Sequence, residues 1–335
     1  MTCDEPLKSA SFHEGPNWYP RKGSMEDDIN EGFVWSNFSA DSEWGCLRDV
    51  ALYVPGKKTH IPERDPDTVL HLDKVNYQKL GEELIVFARI LEKNGVNVHY
   101  VSDDFPGFNE LNLFNQFYVK DQFFMTRAGA IVGRMGSMNR RGEEKLIARL
   151  ITSLGIPICA SIGGEGTFEG ADAVWLNPNK VLVGVGDPEI GNRTNKAGFE
   201  QVQFVLEKLQ NVECVSVELN PKFQHLRGIL QIVDEKLAFV RTALAPSELL
   251  SLLKVERFRV IEIGESEEIL PGQAMNFVVV RPMEVIMVGK NDVSRKLFER
   301  HGILVLGEVD GIELKKAGGG LACAAGILNR DRVQE

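Results

Sequence analysis

From residue 44 onward the chain alternates between paired apolar runs and longer segments that carry a single apolar stripe. The paired runs are FFMTRAGAIVGR (123–134), VWLNPNKVLVGVG (174–186), LQIVDEKLAFVR (230–241) and FVVVRPMEVIMVG (277–289). Each is rich in β-branched and aromatic residues around a short polar turn, the pattern of a β-hairpin. The striped segments predict helices. RGEEKLIARLITSLG places Leu146, Ile147, Leu150, Ile151 and Leu154 on one face, and AGFEQVQFVLEKLQN does the same with Phe199, Val202, Leu206 and Leu209. NDVSRKLFERHG is shorter, with Val293 and Leu297 ahead of a closing Gly302. IPICASI, VECVSVEL and ILVLGEV follow as strands.

One unit therefore recurs: hairpin, helix, strand. The opening copy is LRDVALYVPG, a long helix near 75–94, then VNVHYV; with a less regular copy around 230–263 there are five. Hairpin starts lie about 50 residues apart, within the range of repeat architectures. Five ββαβ units closing on themselves predict an α/β fold in one domain, residues 44–335, with a central pore or cleft. A doubly wound α/β sheet is disfavoured because hairpins, not lone strands, alternate with the helices. Residues 1–43 show no period but hold Trp18, Tyr19, Phe33, Trp35 and Phe38, too aromatic for a solvated tail. They are expected to form an arm or cap on the body.

The charge balance narrows the partners. A net charge of -10 and a pI near 5.3 argue against nucleic acid or an anionic membrane, since both need a basic face. Apolar stretches are strand-length, and residues 1–24 lack the apolar core of a secretory signal. Cys3, Cys46, Cys159, Cys214 and Cys323 are scattered and odd in number, which fits reduced thiols. No CxxC, HxH or HExxH occurs. A cytoplasmic protein without metal or other cofactor is expected, as monomer or homodimer.

Five segments set polar groups beside strands. In NQFYVKD, period-two alternation would put Asn115, Phe117, Val119 and Asp121 on one face and Tyr118 and Lys120 on the other. A carboxylate among apolar neighbours calls for a bound cation, a turn to cap or an arginine partner. TFEGAD holds Glu169 and Asp172 around a small Gly-Ala step, as a ligand-facing loop or a plain acidic turn. His225 in QHLRG stands before a strand as a general acid/base or a structural histidine. Arg140 and Arg193 sit at helix entries, able to hold a carboxylate in bidentate fashion or simply solvated. AGGGLACAAGIL sets Gly318, Gly319 and Gly320 before Cys323, a tight loop that presents either a nucleophile or a small buried thiol.

Taken in order, these segments resemble the guanidine-modifying, or pentein, superfamily of dimethylarginine dimethylaminohydrolases, arginine deiminases and amidinotransferases. The resemblance runs from WGCLRDVALYVPG at residue 44 to the C-terminal loop. It implies a five-bladed α/β propeller and a small guanidino substrate. It gives Cys323 the role of nucleophile, His225 that of acid/base, and Asp121 and Glu169 the grip on the guanidinium, with Glu169 also orienting His225. Arg140 and Arg193 match positions that hold the substrate's carboxylate, and Asn115 matches the deiminases. The implied reaction is attack of the thiolate on the guanidinium carbon, loss of amine or ammonia, and hydrolysis of a thiouronium-type intermediate to citrulline or another ureido product. Two positions depart from the pattern: Arg227 stands where deiminases and amidinotransferases have Asp, and Lys120 where Arg or an acid is usual. Amidinotransfer to an amine is the alternative within the superfamily, and a non-catalytic binding propeller the alternative outside it.

Overall fold

The computed structural model describes residues 19–55, 64–104, 113–221 and 223–333. Its strands form five three-stranded sheets. In chain order they are β1 (Leu47–Leu52), β2 (Asn97–Tyr100), β3 (Phe123–Thr126), β4 (Gly129–Val132), β5 (Ile158–Ser161), β6 (Ala173–Asn177), β7 (Lys180–Val185), β8 (Glu213–Glu218), β9 (Leu230–Asp234), β10 (Leu237–Val240), β11 (Arg259–Glu262), β12 (Val278–Arg281), β13 (Glu284–Val288), β14 (Leu304–Val309) and β15 (Gly326–Arg330). Four sheets are built alike: an antiparallel hairpin, then a helix that returns the chain as a third strand parallel to the second. The connecting helices are Glu144–Ser153, Lys196–Phe204, Ser247–Val255 and Asp292–Arg300.

The remaining sheet joins the two ends of the ring. The C-terminal strand β15 pairs antiparallel with β1, and β1 pairs parallel with β2. The opening copy in the sequence is thus two-thirds of a blade, completed from the far end of the chain. This is the five-bladed α/β propeller expected from the repeats and the resemblance. The long helix between β1 and β2, Tyr77–Lys93, starts at an Asn76 cap and buries Leu80, Leu84, Phe87, Ala88 and Leu91 along one stripe. Truncating Phe87 at the centre of that stripe would cost about 3–5 kcal/mol.

Burial identifies the axis. In β2, β5 and β11 several residues are partly or fully exposed, whereas the hairpin strands β3, β4, β6, β9 and β10 are almost wholly buried. The first strand of each hairpin faces the centre, and Ile232 of β9, Val278 and Val279 of β12 and Ile327 and Arg330 of β15 border one small central cavity. Among the arm residues described, Met25–Glu31 is a helix capped by Ser24, and 36–43 lies against the body. There Ser36 N–H donates to Gly155, Ala40 N–H to Thr126, and Arg330 N–H to Ser39. Phe38 packs on the core, yet Tyr19 and Phe33 are exposed, so the aromatics do not all pack; Trp18 lies outside the described residues. No described helix is long and apolar enough to cross a membrane.

Candidate active site

Each blade sends one polar or nucleophilic side chain to the centre from the turn just before its axial strand. Asp121 precedes β3, Glu169 precedes β6, His225 precedes β9, Asn276 precedes β12 and Cys323 precedes β15. Short helical turns hold four of these positions or their immediate neighbours: Val119–Gln122, Gly170–Asp172, Leu226–Gly228 and Leu321–Ala324. A cavity of about 290 Å³ is bordered by Asp121, His225, Asn276 and Cys323, together with Asn115, Tyr118, Lys120, Arg140, Arg193 and Arg227.

The acid cluster is dense. Glu169 is fully buried; its Oε1 accepts from Gly136 N–H at 2.9 Å, while its Oε2 is shared by His225 Nε2 at 2.7 Å and Arg140 Nη1 at 3.3 Å. Arg140 Nη1 also donates to Asp121 Oδ2 at 2.7 Å, and its other nitrogens donate to Glu143 at 2.8–3.2 Å. Asp121 Oδ1 is buried with no hydrogen-bond donor among the described residues. A carboxylate oxygen left without a donor in a protein interior is costly. It is free to accept a hydrogen bond from a bound cation.

Titration follows from this geometry. Burial raises the Glu169 carboxyl, but the Arg140 guanidinium and the His225 hydrogen bond outweigh it and hold it at about 2. Burial alone would discharge His225, but the field of Asp121 and the bond to Glu169 raise it to about 9, so the ring is an imidazolium at neutral pH. Burial pushes the Cys323 thiol up and the Asp121 charge adds to it, while Asn276 and Arg140 pull the other way. Asp172, which accepts from Thr194 Oγ1 at 2.6 Å and from Leu226 N–H at 3.1 Å, is pushed by burial to about 7. It fixes the turn that carries His225.

Cys323 lies in the one-turn helix Leu321–Ala324 rather than in a bare loop. Asn276 clasps it twice: Nδ2 donates to Sγ at 3.0 Å and Oδ1 accepts from Cys323 N–H at 3.1 Å. The glycines ahead of it have separate reasons. Gly318 is left-handed at φ 88°, and a Cβ on Gly319 would stand 2.5 Å from the Tyr118 ring.

Several readings of single residues change. NQFYVKD is not an alternating strand: Val119–Gln122 is a 3-10 turn, and Asn115 through Asp121 are all buried. With no exposed face to alternate against, period two carries no information, and Lys120 does not point to solvent. Arg140 does not reach out for a substrate carboxylate, because three buried acids engage its guanidinium. Asn115 borders the cavity, but its amide bonds His71 Nε2 at 2.8 Å and the Val69 carbonyl at 2.8 Å, anchoring the segment at the cavity mouth. Arg193 borders the cavity with its Nε buried and unpartnered. Asn276 and Glu143 were given no role in the sequence, and Tyr118 was placed only on a face of NQFYVKD. Only Asn276 had a usable signal, the position before a hairpin that Asp121, Glu169 and His225 share.

One oxygen or nitrogen each from Asp121, Glu169 and His225 lies within 4.8 Å of the others, a donor set that suits a divalent ion. Arg140 Nη1 already rests against two of the three.

The family model for arginine deiminase matches residues 110–245 and 241–330. The chain belongs to the arginine deiminase family. Dimethylarginine dimethylaminohydrolase of Pseudomonas aeruginosa is 28% identical over 79% of this chain and 97% of that relative. An arginine deiminase of Listeria welshimeri is 23% identical over 70% of this chain and 66% of its own length. Among solved structures, a dimethylarginine dimethylaminohydrolase adduct with 4-chloro-2-hydroxymethylpyridine superposes with TM-score 0.64 at 25% identity, covering 84% of this chain and 99% of the other. An amidinotransferase from Microseira wollei in the saxitoxin biosynthetic pathway shares the fold, with TM-score 0.67 at 17% identity over 90% and 99%. The family member described here is a guanidine-modifying hydrolase of the pentein superfamily, acting on C–N bonds of linear amidines.

Proposed function

We propose that this enzyme hydrolyses arginine or an N-substituted arginine at the guanidinium carbon, through a covalent intermediate on Cys323. The observation that carries the reading is the buried, donor-free Oδ1 of Asp121 in the cavity that Cys323 and His225 also border. A substrate guanidinium would take Oδ1 while Arg140 keeps Oδ2. Arg193, whose Nε is buried without a partner among the described residues, borders the same cavity and would receive the amino-acid carboxylate.

The bound cation offsets the Asp121 charge that holds the Cys323 thiol up, so the thiol proton leaves to solvent as substrate settles. Asn276 Nδ2 stabilises the sulfur anion that forms. The thiolate adds to the guanidinium carbon, and the imidazolium of His225 gives its proton to the departing nitrogen, which leaves as amine or ammonia. Neutral His225 then takes a proton from water, the hydroxide adds to the thiouronium carbon, and collapse breaks the C–S bond with the hydroxyl proton passing to the departing sulfur, which restores the Cys323 thiol and releases a ureido product. Glu169 keeps His225 oriented and charged for the first half of this cycle.

The test is incubation with arginine, mono- and dimethylated arginines, agmatine and guanidino acids, with products read by mass spectrometry. Citrulline with an alkylamine supports methylarginine hydrolysis, and citrulline with ammonia supports deimination. Transfer of the amidino group to an added amine in preference to water would replace the proposal with amidinotransfer. Silence across the panel without an adduct on Cys323 would return the fold to a binding role.

A further inference from the structure

Beneath the candidate active site lies a second cavity, of about 20 Å³, bordered by Glu43, Lys120, Arg227 and Arg330 among apolar side chains. It shares Lys120, Arg227, Gln231 and Ala322 with the larger cavity, and Ala322 is the neighbour of Cys323. Three basic side chains and one acid meet there, an excess of two positive charges when Lys120 is protonated and of one when it is not. Glu43 is engaged by Arg227 Nη2 at 2.5 Å and by Trp175 N–H at 3.0 Å. Among the described residues, the Arg330 guanidinium donates to the neutral carbonyls of Gly45 and Val279, at 2.6 and 2.8 Å, and to no carboxylate.

Two donors are left over. The Lys120 side chain, 6% exposed as a residue, makes no hydrogen bond or ion pair with any described residue; Glu43 and Asp121 attract its ammonium only through space, and the Phe124 ring lies 6.0 Å away. Arg227 Nε is buried without a partner. A buried cation that shares one acid with two arginines and has no hydrogen-bond acceptor of its own is disfavoured. Burial and the neighbouring Arg227 push Lys120 down to about 7, while the pull of three cations keeps Glu43 at about 2 despite its burial.

We propose that the small cavity binds one monatomic anion, chloride under ordinary conditions, held by the Lys120 ammonium and the Arg227 Nε. The volume admits a single particle of about the size of water and excludes sulfate or phosphate. The charge excess selects an anion over water. Because Lys120 adjoins Asp121, the anion also shields the guanidinium socket from a neighbouring positive charge, so halide binding strengthens substrate binding. Only this last, kinetic consequence rests on the proposed function.

The decisive experiment is diffraction from wild-type crystals soaked in sodium bromide, with anomalous data at the bromine edge. A bromide peak in the cavity between Lys120 and Arg227 is expected; water there, with no anomalous signal, overturns the proposal. In solution, Tm is measured in sodium chloride, bromide and gluconate at matched ionic strength. The halides should raise the wild-type Tm above the gluconate value by about 3 °C or more at saturation, and Lys120→Met should remove the difference. An identical halide response in the variant places the effect elsewhere and refutes the site. With substrate, halide should lower KM and leave kcat nearly unchanged; a halide-independent KM beside a clear bromide peak would refute the coupling but not the site.

Discussion

Asn276→Ala isolates what the fifth blade contributes. The substitution removes the Nδ2 bond to Cys323 Sγ and the Oδ1 bond from Cys323 N–H, at 3.0 and 3.1 Å. A hydrogen bond to a charged group is worth about 1.5–3 kcal/mol, and one pKa unit corresponds to about 1.4 kcal/mol. The thiol, already raised by burial, should climb about one to two further units, and the thiolate fraction near neutral pH should fall about ten- to hundredfold. Part of this returns, because a more basic thiolate is a better nucleophile, with a Brønsted slope of about 0.4–0.5. The net expectation is a thiol–disulfide exchange rate about three- to tenfold slower at fixed pH. The assay is stopped-flow exchange with an aromatic disulfide against pH, with Cys323→Ser as the blank for the other cysteines. Asn276→Asp keeps the acceptor for Cys323 N–H but replaces the donor with a negative charge, so it should shift the midpoint at least as far. In turnover, kcat should fall more than KM rises. A pH midpoint unmoved in both variants would falsify the assignment of Asn276 as the group that poises the thiol, whatever happened to kcat.

Cys323→Ser should abolish turnover and the mass adduct while leaving the melting temperature close to wild type, because a hydroxyl fits the space of the thiol; near wild-type activity would remove Cys323 as nucleophile. For His225 the folded pKa of about 9 lies above the unfolded 6.5, so its protonation stabilises the native state fully below pH 6.5 and ceases to do so as pH rises through 9. Wild type should therefore lose about 3 kcal/mol between those limits relative to His225→Gln, read by urea denaturation at several pH values, and its kcat should fall above about pH 9 as the proton donor is lost. Glu43→Gln leaves Lys120, Arg227 and Arg330 with no anionic side chain in their cavity. It should cost about 3–5 kcal/mol, seen as a lowered urea midpoint at unchanged m-value; a loss below 1 kcal/mol would mean that Glu43 does not offset the positive charge of the cavity.

What the sequence made legible was local. The hairpins at 123–134, 174–186, 230–241 and 277–289 stand out because apolar β-branched runs flank turns too short for anything else, and the helices because one face is apolar. The closing strand β15 was invisible for the opposite reason: its partner β1 lies almost a whole chain length away. NQFYVKD misled because alternation marks a strand only when one face meets water, and none of its residues does. Cys323, His225, Glu169 and Asp121 stood out as chemically unusual residues in small-residue or strand-edge settings, and the structure sets Cys323, His225 and Asp121 around one cavity with Glu169 bonded behind His225. Asn276 and Glu43 could not stand out in that way, because an amide and an acid in unremarkable settings acquire meaning only from the partners that folding supplies.

The two departures from the superfamily pattern illustrate the same point more sharply. Taken singly, Lys120 and Arg227 look like damage to a site built to attract a cation, since each adds positive charge beside it. In the fold they border one small cavity together, and Glu43, from the arm, bonds Arg227 directly. The arm thus delivers a carboxylate to the cation that stands where deiminases and amidinotransferases carry an acid. Any account of substrate preference based on Arg227 alone would be misdirected, because its charge is already paired away from the Asp121 socket. The double variant Glu43→Gln with Arg227→Gln tests this directly: it should be more stable than Glu43→Gln alone, since a buried cation is removed together with its partner. If the two substitutions were simply additive, measured by urea denaturation, Glu43 and Arg227 would not act as a unit, and the arm's place in the electrostatics of the site would have to be abandoned.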